Sequence, residues 1–243
     1  MEISFTQGPH SFKVDLKTGI DCSSVYGLPR AEPAAWHCSP VKVEPVQNGD
    51  WVGSVQAGAP INFYQVQLNP HGNGTHTECV GHISAEKQSI NEVLPGFQGL
   101  LRLVRLAPDG QNCVRLADFK AKVQELVEPA LAIAVPADFP QDFSGTHPPY
   151  FEPELMRYLR QAGVHHFITN LPSVDPEEDD GALAAHKAFW NYPQEMDLKR
   201  TITELAHFKT ELKEGQYFLN LQVAPLQNDA APSRVMLHAL STP

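Results

Sequence analysis

Proline limits this chain more than any other residue. It occupies 21 of 243 positions, about 9% where about 5% is usual. Proline lacks a backbone N–H and fixes φ, so helix interiors and central strands exclude it. Long connections and few long helices are therefore expected. The length suits one large domain or two small ones, and a chain of this size would bury roughly 70–75% of its unfolded surface without disulfides or a structural metal. With 42% hydrophobic and 19% charged residues, the chain reads as a soluble globular protein rather than a disordered one. A formal charge of −10, with no basic cluster, argues against nucleic acid or anionic membranes as partners. No apolar run reaches the ~18 residues that span a bilayer. The start shows no signal peptide, so the expected location is the cytoplasm.

The apolar pattern predicts an alternation of strands and helices. The first sixty residues read as an irregular, clasp-like section with short strands near Ile3–Phe5 and Phe12–Leu16. Tyr64, Val66 and Leu68 alternate with period two, as a half-buried strand does. Further strands are predicted at Leu101–Leu106 and Ala130–Val135. Leu116, Phe119, Val123, Leu126 and Val127 follow helical spacing. A helix opens at Pro153, presents Leu155, Tyr158, Leu159 and Ala162 on one face, and stops at Gly163. A strand over Val164–Asn170 follows at once. That order is a βαβ unit, which favours parallel pairing. A shorter helix over Gly181–Trp190 and two alternating strands, Tyr217–Val223 and Val235–Ala239, complete a mixed α/β domain spanning 1–243.

Familiar catalytic signatures are absent: no H-E-x-x-H, P-loop, G-x-G-x-x-G or G-x-S-x-G occurs. Cys22, Cys38, Cys79 and Cys113 lack the spacing of a zinc site and suit reduced thiols. The acidic run Asp175–Asp180 lacks the EF-hand register. It is expected to be a solvated loop whose charges favour the start of the next helix. One segment stands apart, Asn69-Pro-His-Gly-Asn-Gly-Thr-His-Thr-Glu-Cys-Val-Gly-His82. It gathers His71, His76, Glu78 and His82. In extended chain His76 and Glu78 share a face. Imidazole and carboxylate together suit a divalent ion such as zinc or manganese. Farther along, His186 shares a helix face with Phe189 and Trp190 and is expected to point inward. Glu204 lies among Ile202, Leu205 and Phe208, where a carboxylate is seldom buried unless paired or ligating. His165 and His166 read as structural.

The segment resembles the H-x-G-T-H-x-D-x-P-x-H signature of the cyclase-like metal-dependent hydrolases, the family of bacterial kynurenine formamidase and isatin hydrolase. Gly74-Thr75-His76 matches its core, Glu78 stands at its aspartate and His82 at its last histidine. Asn170-Leu-Pro-Ser-Val-Asp-Pro176 is similar to the family's D-T-P-S-I-D-P. His186, then Ile202-Thr203-Glu204-Leu205, follow where the family carries a metal-site histidine and glutamate. The likeness runs over roughly residues 60–240. It implies a swivelling β/β/α fold, a dimer or tetramer, and a divalent ion held among His71, His76, Glu78, His82, His186 and Glu204. His82 and His186 are then the catalytic candidates. There are departures. The family's first histidine falls on Gly72, and His71 is one residue out of register. In extended chain that slip turns a side chain to the opposite face, so reaching the ion would require a bulge. Glu78 is one methylene longer than aspartate, and Val80 replaces the family's proline.

The resemblance implies hydrolysis of a small amide or lactam, with the ion activating water and His82 carrying the proton to the leaving nitrogen. Two rivals accompany it. One is a metal- or small-molecule-binding protein without catalysis, suggested by the displaced first histidine. The other is a metal-free hydrolase using Cys79 or a serine with one of these histidines, although the Glu78 carboxylate beside Cys79 disfavours a thiolate.

Overall fold

The computed structural model describes residues 1–7, 10–27, 33–94, 96–136 and 140–241. Its centre is a mixed sheet closed on itself. Seven strands form the ring, in the order Ala230–Ser241, Gly215–Val223, Gly96–Arg105, Ala130–Ala134, His166–Thr169, Thr201–Glu204 and His76–Glu78. The last bonds back to the first. The 96–105, 130–134, 166–169 and 201–204 strands run parallel to one another, and the remaining joins of the ring are antiparallel. Closure of this kind leaves those strands no free edge.

The 130–134 strand shows why the ring has this shape. All five residues are buried. Leu131 and Ile133 face outward, among Phe151, Leu155, Met156, Leu159, Phe189 and Trp190 of the outer helices and loops. Ala130, Ala132 and Ala134 face inward, among Leu101, Leu103, Leu219, Leu221, Val235 and Leu237. Small side chains inside and bulky ones outside let the sheet curve around a filled interior. Both faces are apolar, so the run shows no polar alternation.

The expected βαβ unit is present. Helix Pro153–Gln161 has proline in its first turn and buries Leu155, Met156 and Leu159. It joins the parallel 130–134 and 166–169 strands. The 116–127 periodicity forms only Leu116–Lys122. The 181–190 reading shortens to Ala184–Trp190, because Gly181 and Leu183 take positive φ ahead of it. The N-terminal section is less irregular than expected. Glu2–Gln7 and His10–Asp15 form a hairpin, and the second strand, with Ile20–Asp21, pairs with 230–241. Tyr64–Gln67 is a strand, but it pairs only with Lys42–Pro45, and all four of its residues are exposed. No described helix is long and apolar enough to cross a membrane.

Candidate metal centre

The site lies on the outer face of the ring, at the carboxyl end of the 201–204 strand, where open α/β sheets also tend to place ligands. Register creates its first pair. His76 stands directly opposite Glu204, and Glu78 opposite Ile202. Alternation then puts His76, Glu78 and Glu204 on one face. Thr77 and Thr203 take the other face and join their hydroxyls at 2.8 Å. Ile202 belongs to the outer core with Trp190, so the three chemical side chains lie under the 184–190 helix. That helix lowers His186 onto them, 2% exposed and 5.3 Å from Trp190 between ring centroids.

Three histidines follow one rule. His186 turns Nδ1 to Asp175 at 2.6 Å and Nε2 to Glu78 at 3.1 Å. His76 places Nδ1 on the Gly74 carbonyl at 2.9 Å and faces Glu204 with Nε2 at 3.4 Å. His71 places Nε2 on Asp229 at 2.8 Å and Nδ1 on Glu78 at 3.2 Å. In each, one nitrogen meets a fixed acceptor and the other points at the inner carboxylates, as the ligand histidines of metal sites do. His82 is more open. Its Nδ1 lies 3.6 Å from Asp229 and 3.9 Å from Glu78.

Electrostatics separates the two inner carboxylates. Burial opposes charge on Glu78, but His82, His186 and His71 prevail and hold it well below the usual carboxylate range. Glu204 is raised, first by burial and then by the Glu78 charge. Burial also disfavours charge on His186, yet Asp175 and Glu78 push it up to about 10. His71 is likewise pushed up to about 10, with Asp229 and Glu78 outweighing burial.

The donor set fits a divalent cation. His76 Nε2 and Glu204 Oε1 are buried with no hydrogen-bond partner among the described residues, an arrangement that is costly unless something else satisfies them. Donor atoms of His71, His76 and Glu78 lie within 4.8 Å of one another, as do those of Glu78, His82 and His186.

All six candidates from the sequence therefore meet in one cluster. Two of its members were not anticipated. Asp175 is not a solvated loop residue. It is 3% exposed, accepts the N–H groups of Ala185 and His186 at the helix start, and fixes the His186 ring. Asp229, just before the closing strand, contacts both His71 and His82 and sits in no pattern that would single it out. His71 needs no bulge, because the chain around it is a turn rather than extended. Hydrogen bonds from the Gly72 and Asn73 N–H groups to the Asn69 carbonyl form that turn. Cys79 is fully buried, and burial pushes its thiol up to about 11, which disfavours a thiolate nucleophile there.

Comparison with known proteins bears on the family and the fold. The family model Cyclase, described as "Putative cyclase", matches residues 14–176. Among solved structures, the chain is similar to a "potential metal-dependent hydrolase with cyclase activity", at 17% identity and TM-score 0.63, covering 91% of this chain and 97% of that one. It is similar to isatin hydrolase A from Ralstonia solanacearum, at 14% identity and TM-score 0.60, covering 91% of each. An isatin hydrolase bound to the product analogue thioisatinate matches at 13% identity and TM-score 0.61, covering 93% of each. At these identities the structural likeness is one of fold.

Proposed function

Because the chain belongs to the Cyclase family, we propose that it is a metal-dependent hydrolase whose substrate is a small amide or lactam. One observation carries the reading: His76 Nε2 and Glu204 Oε1 are buried inside a histidine–carboxylate cluster, each without a hydrogen-bond partner among the described residues. His76, Glu78, His186 and Glu204 would hold the ion, and their mixed nitrogen and oxygen donors suit zinc or manganese. When bound, such an ion polarises a carbonyl and lowers the pKa of water from 15.7 toward ~7.

The chain's own residues do the rest. Asp175 and the Gly74 carbonyl hold the His186 and His76 rings in one orientation and one tautomer. His186 is enclosed and engaged at both nitrogens, so it suits holding the ion rather than moving protons. His82 is the partly exposed ring. With Nδ1 toward Asp229 and Glu78, its Nε2 is the atom to take a proton from water and deliver it to the leaving nitrogen. The test is elemental analysis of untagged protein, together with turnover of a panel of amides and lactams. We expect about one or more equivalents of zinc or manganese per chain, with metal and hydrolysis both lost in His76→Ala and Glu204→Gln. Full activity in either variant would refute the assignment. A metal-loaded protein that turns over nothing would be a binder on this scaffold.

We also propose a second copy of the chain as partner, in a dimer or tetramer. Trp51, Ile61, Phe63, Tyr64 and Val66 are all exposed on one short stretch, and clustered apolar surface of this kind commonly marks an interface. Sedimentation should show a dimer or larger; a monomer at micromolar concentration would refute this.

A further inference from the structure

The family signature places its first histidine at the position of Gly72, and the structure shows why none stands there. A Cβ at Gly72 would lie 2.3 Å from the Cys38 sulfur and 2.9 Å from the Ala35 carbonyl oxygen. The Ala35 N–H also donates to the Gly72 carbonyl at 3.1 Å. The 35–38 segment therefore fills the space that any side chain would need.

His71 enters the cluster instead, by way of the turn. The His71 N–H donates to Asn69 Oδ1 at 2.9 Å, and the Asn69 N–H donates to Asn73 Oδ1 at 2.7 Å. This brings the His71 ring to 5.3 Å from that of His76 between centroids. The turn fixes the backbone, but it does not fix the ring. Asp229 does that. Its own backbone is pinned: its carbonyl accepts the Cys79 N–H at 3.0 Å, and the next residue, Ala230, pairs with Glu78. From there Oδ2 meets His71 Nε2 at 2.8 Å and leaves Nδ1 facing Glu78 at 3.2 Å. The arrangement repeats what Asp175 does for His186.

We propose that Asp229 is a positioning residue that turns the out-of-register His71 into a cation ligand through Nδ1, supplying the donor that Gly72 cannot. This rests on the metal-site reading above, extended to a ligand and an orienting carboxylate specific to this chain. Such outer partners typically contribute 10–100-fold to metal affinity.

The experiment is a Zn²⁺ titration of the full chain against a chromophoric chelator, with thermal unfolding as a check on folding. His71→Ala and Asp229→Ala should each weaken Zn²⁺ binding by about 10–100-fold, and Asp229→Asn, which keeps an acceptor oxygen, by less. Because Asp229 acts through His71, the double variant should bind no more weakly than His71→Ala alone. Additive losses would overturn the proposal, since they would mean that Asp229 affects the site by another route. So would wild-type affinity in Asp229→Ala. If the wild-type chain takes up no Zn²⁺, the metal-site reading falls and this one with it. If His76→Ala abolishes binding while Asp229→Ala leaves it intact, only the present inference falls.

Discussion

The hydroxyl of Thr75 ties three distant parts of the chain together, and its removal has a calculable effect. Thr75 is fully buried. Its Oγ1 donates to the Leu205 carbonyl at 2.7 Å and accepts the Ser24 N–H at 2.9 Å. The Ser24 Oγ accepts the Thr75 N–H at 2.7 Å, so its own proton goes to Thr75 Oγ1 at 2.8 Å. Tyr26 donates to the Thr75 carbonyl at 2.6 Å. Leu205, in the left-handed region at φ 53, directly follows Glu204, and Thr75 directly precedes His76. Thr75→Val keeps the shape and deletes the hydroxyl. It strands the Leu205 carbonyl and the Ser24 N–H, at about 1–3 kcal/mol each, so a loss of about 2–6 kcal/mol is expected. Thr75→Ser keeps the hydroxyl and removes one methyl, for about 1 kcal/mol. Urea unfolding measures both. If serine costs as much as valine, or valine costs under about 1 kcal/mol, the hydroxyl is not the clamp and packing holds the strands.

Two further expectations concern groups outside the cluster. His166 is buried, and burial, then the charges of His165 and Arg200, push it down to about 4 from 6.5. Its neutral form is favoured by folding, so its contribution is present above pH 6.5 and lost as pH falls toward 4, up to about 3 kcal/mol. Its NMR titration should have a midpoint below pH 5; one at 6 or higher would contradict this. Cys79 should resist iodoacetamide at pH 8 in the folded protein and react once unfolded, as a buried thiol raised to about 11 must. Rapid alkylation of the native chain would show that the fold opens there.

Elements with a clear period were legible in the sequence, the strands near both ends included; the pairing of those ends with the rest of the sheet was not. The 153–161 helix and its flanking strands could be read because apolar spacing and a glycine stop specify them locally. Closure of the ring could not, because it depends on Ala230–Ser241 bonding to His76–Glu78 across some 150 residues. The same distinction divides the site. His76, Glu78 and His82 form a local motif, and Glu204 stood out as a carboxylate in apolar company. Asp175 looked like one more acidic loop residue, because only the fold places the His186 N–H and ring over it. Asp229 had no local signal at all. The trouble expected at His71 came from assuming extended chain, where Asn69 and Asn73 make a turn.

The His76–Glu78 strand is three residues long, yet it is the segment through which the ring closes. It bonds on one side to the 201–204 strand and on the other to residues 230–232. Without residues 229–239 the sheet would have two open edges, and His71 would lack Asp229. Contacts between partners so far apart in sequence form late. The ring and the cluster are therefore completed in the same event, and an ion gripping residues near 76, 186 and 204 would act as a fastener on the newly closed sheet.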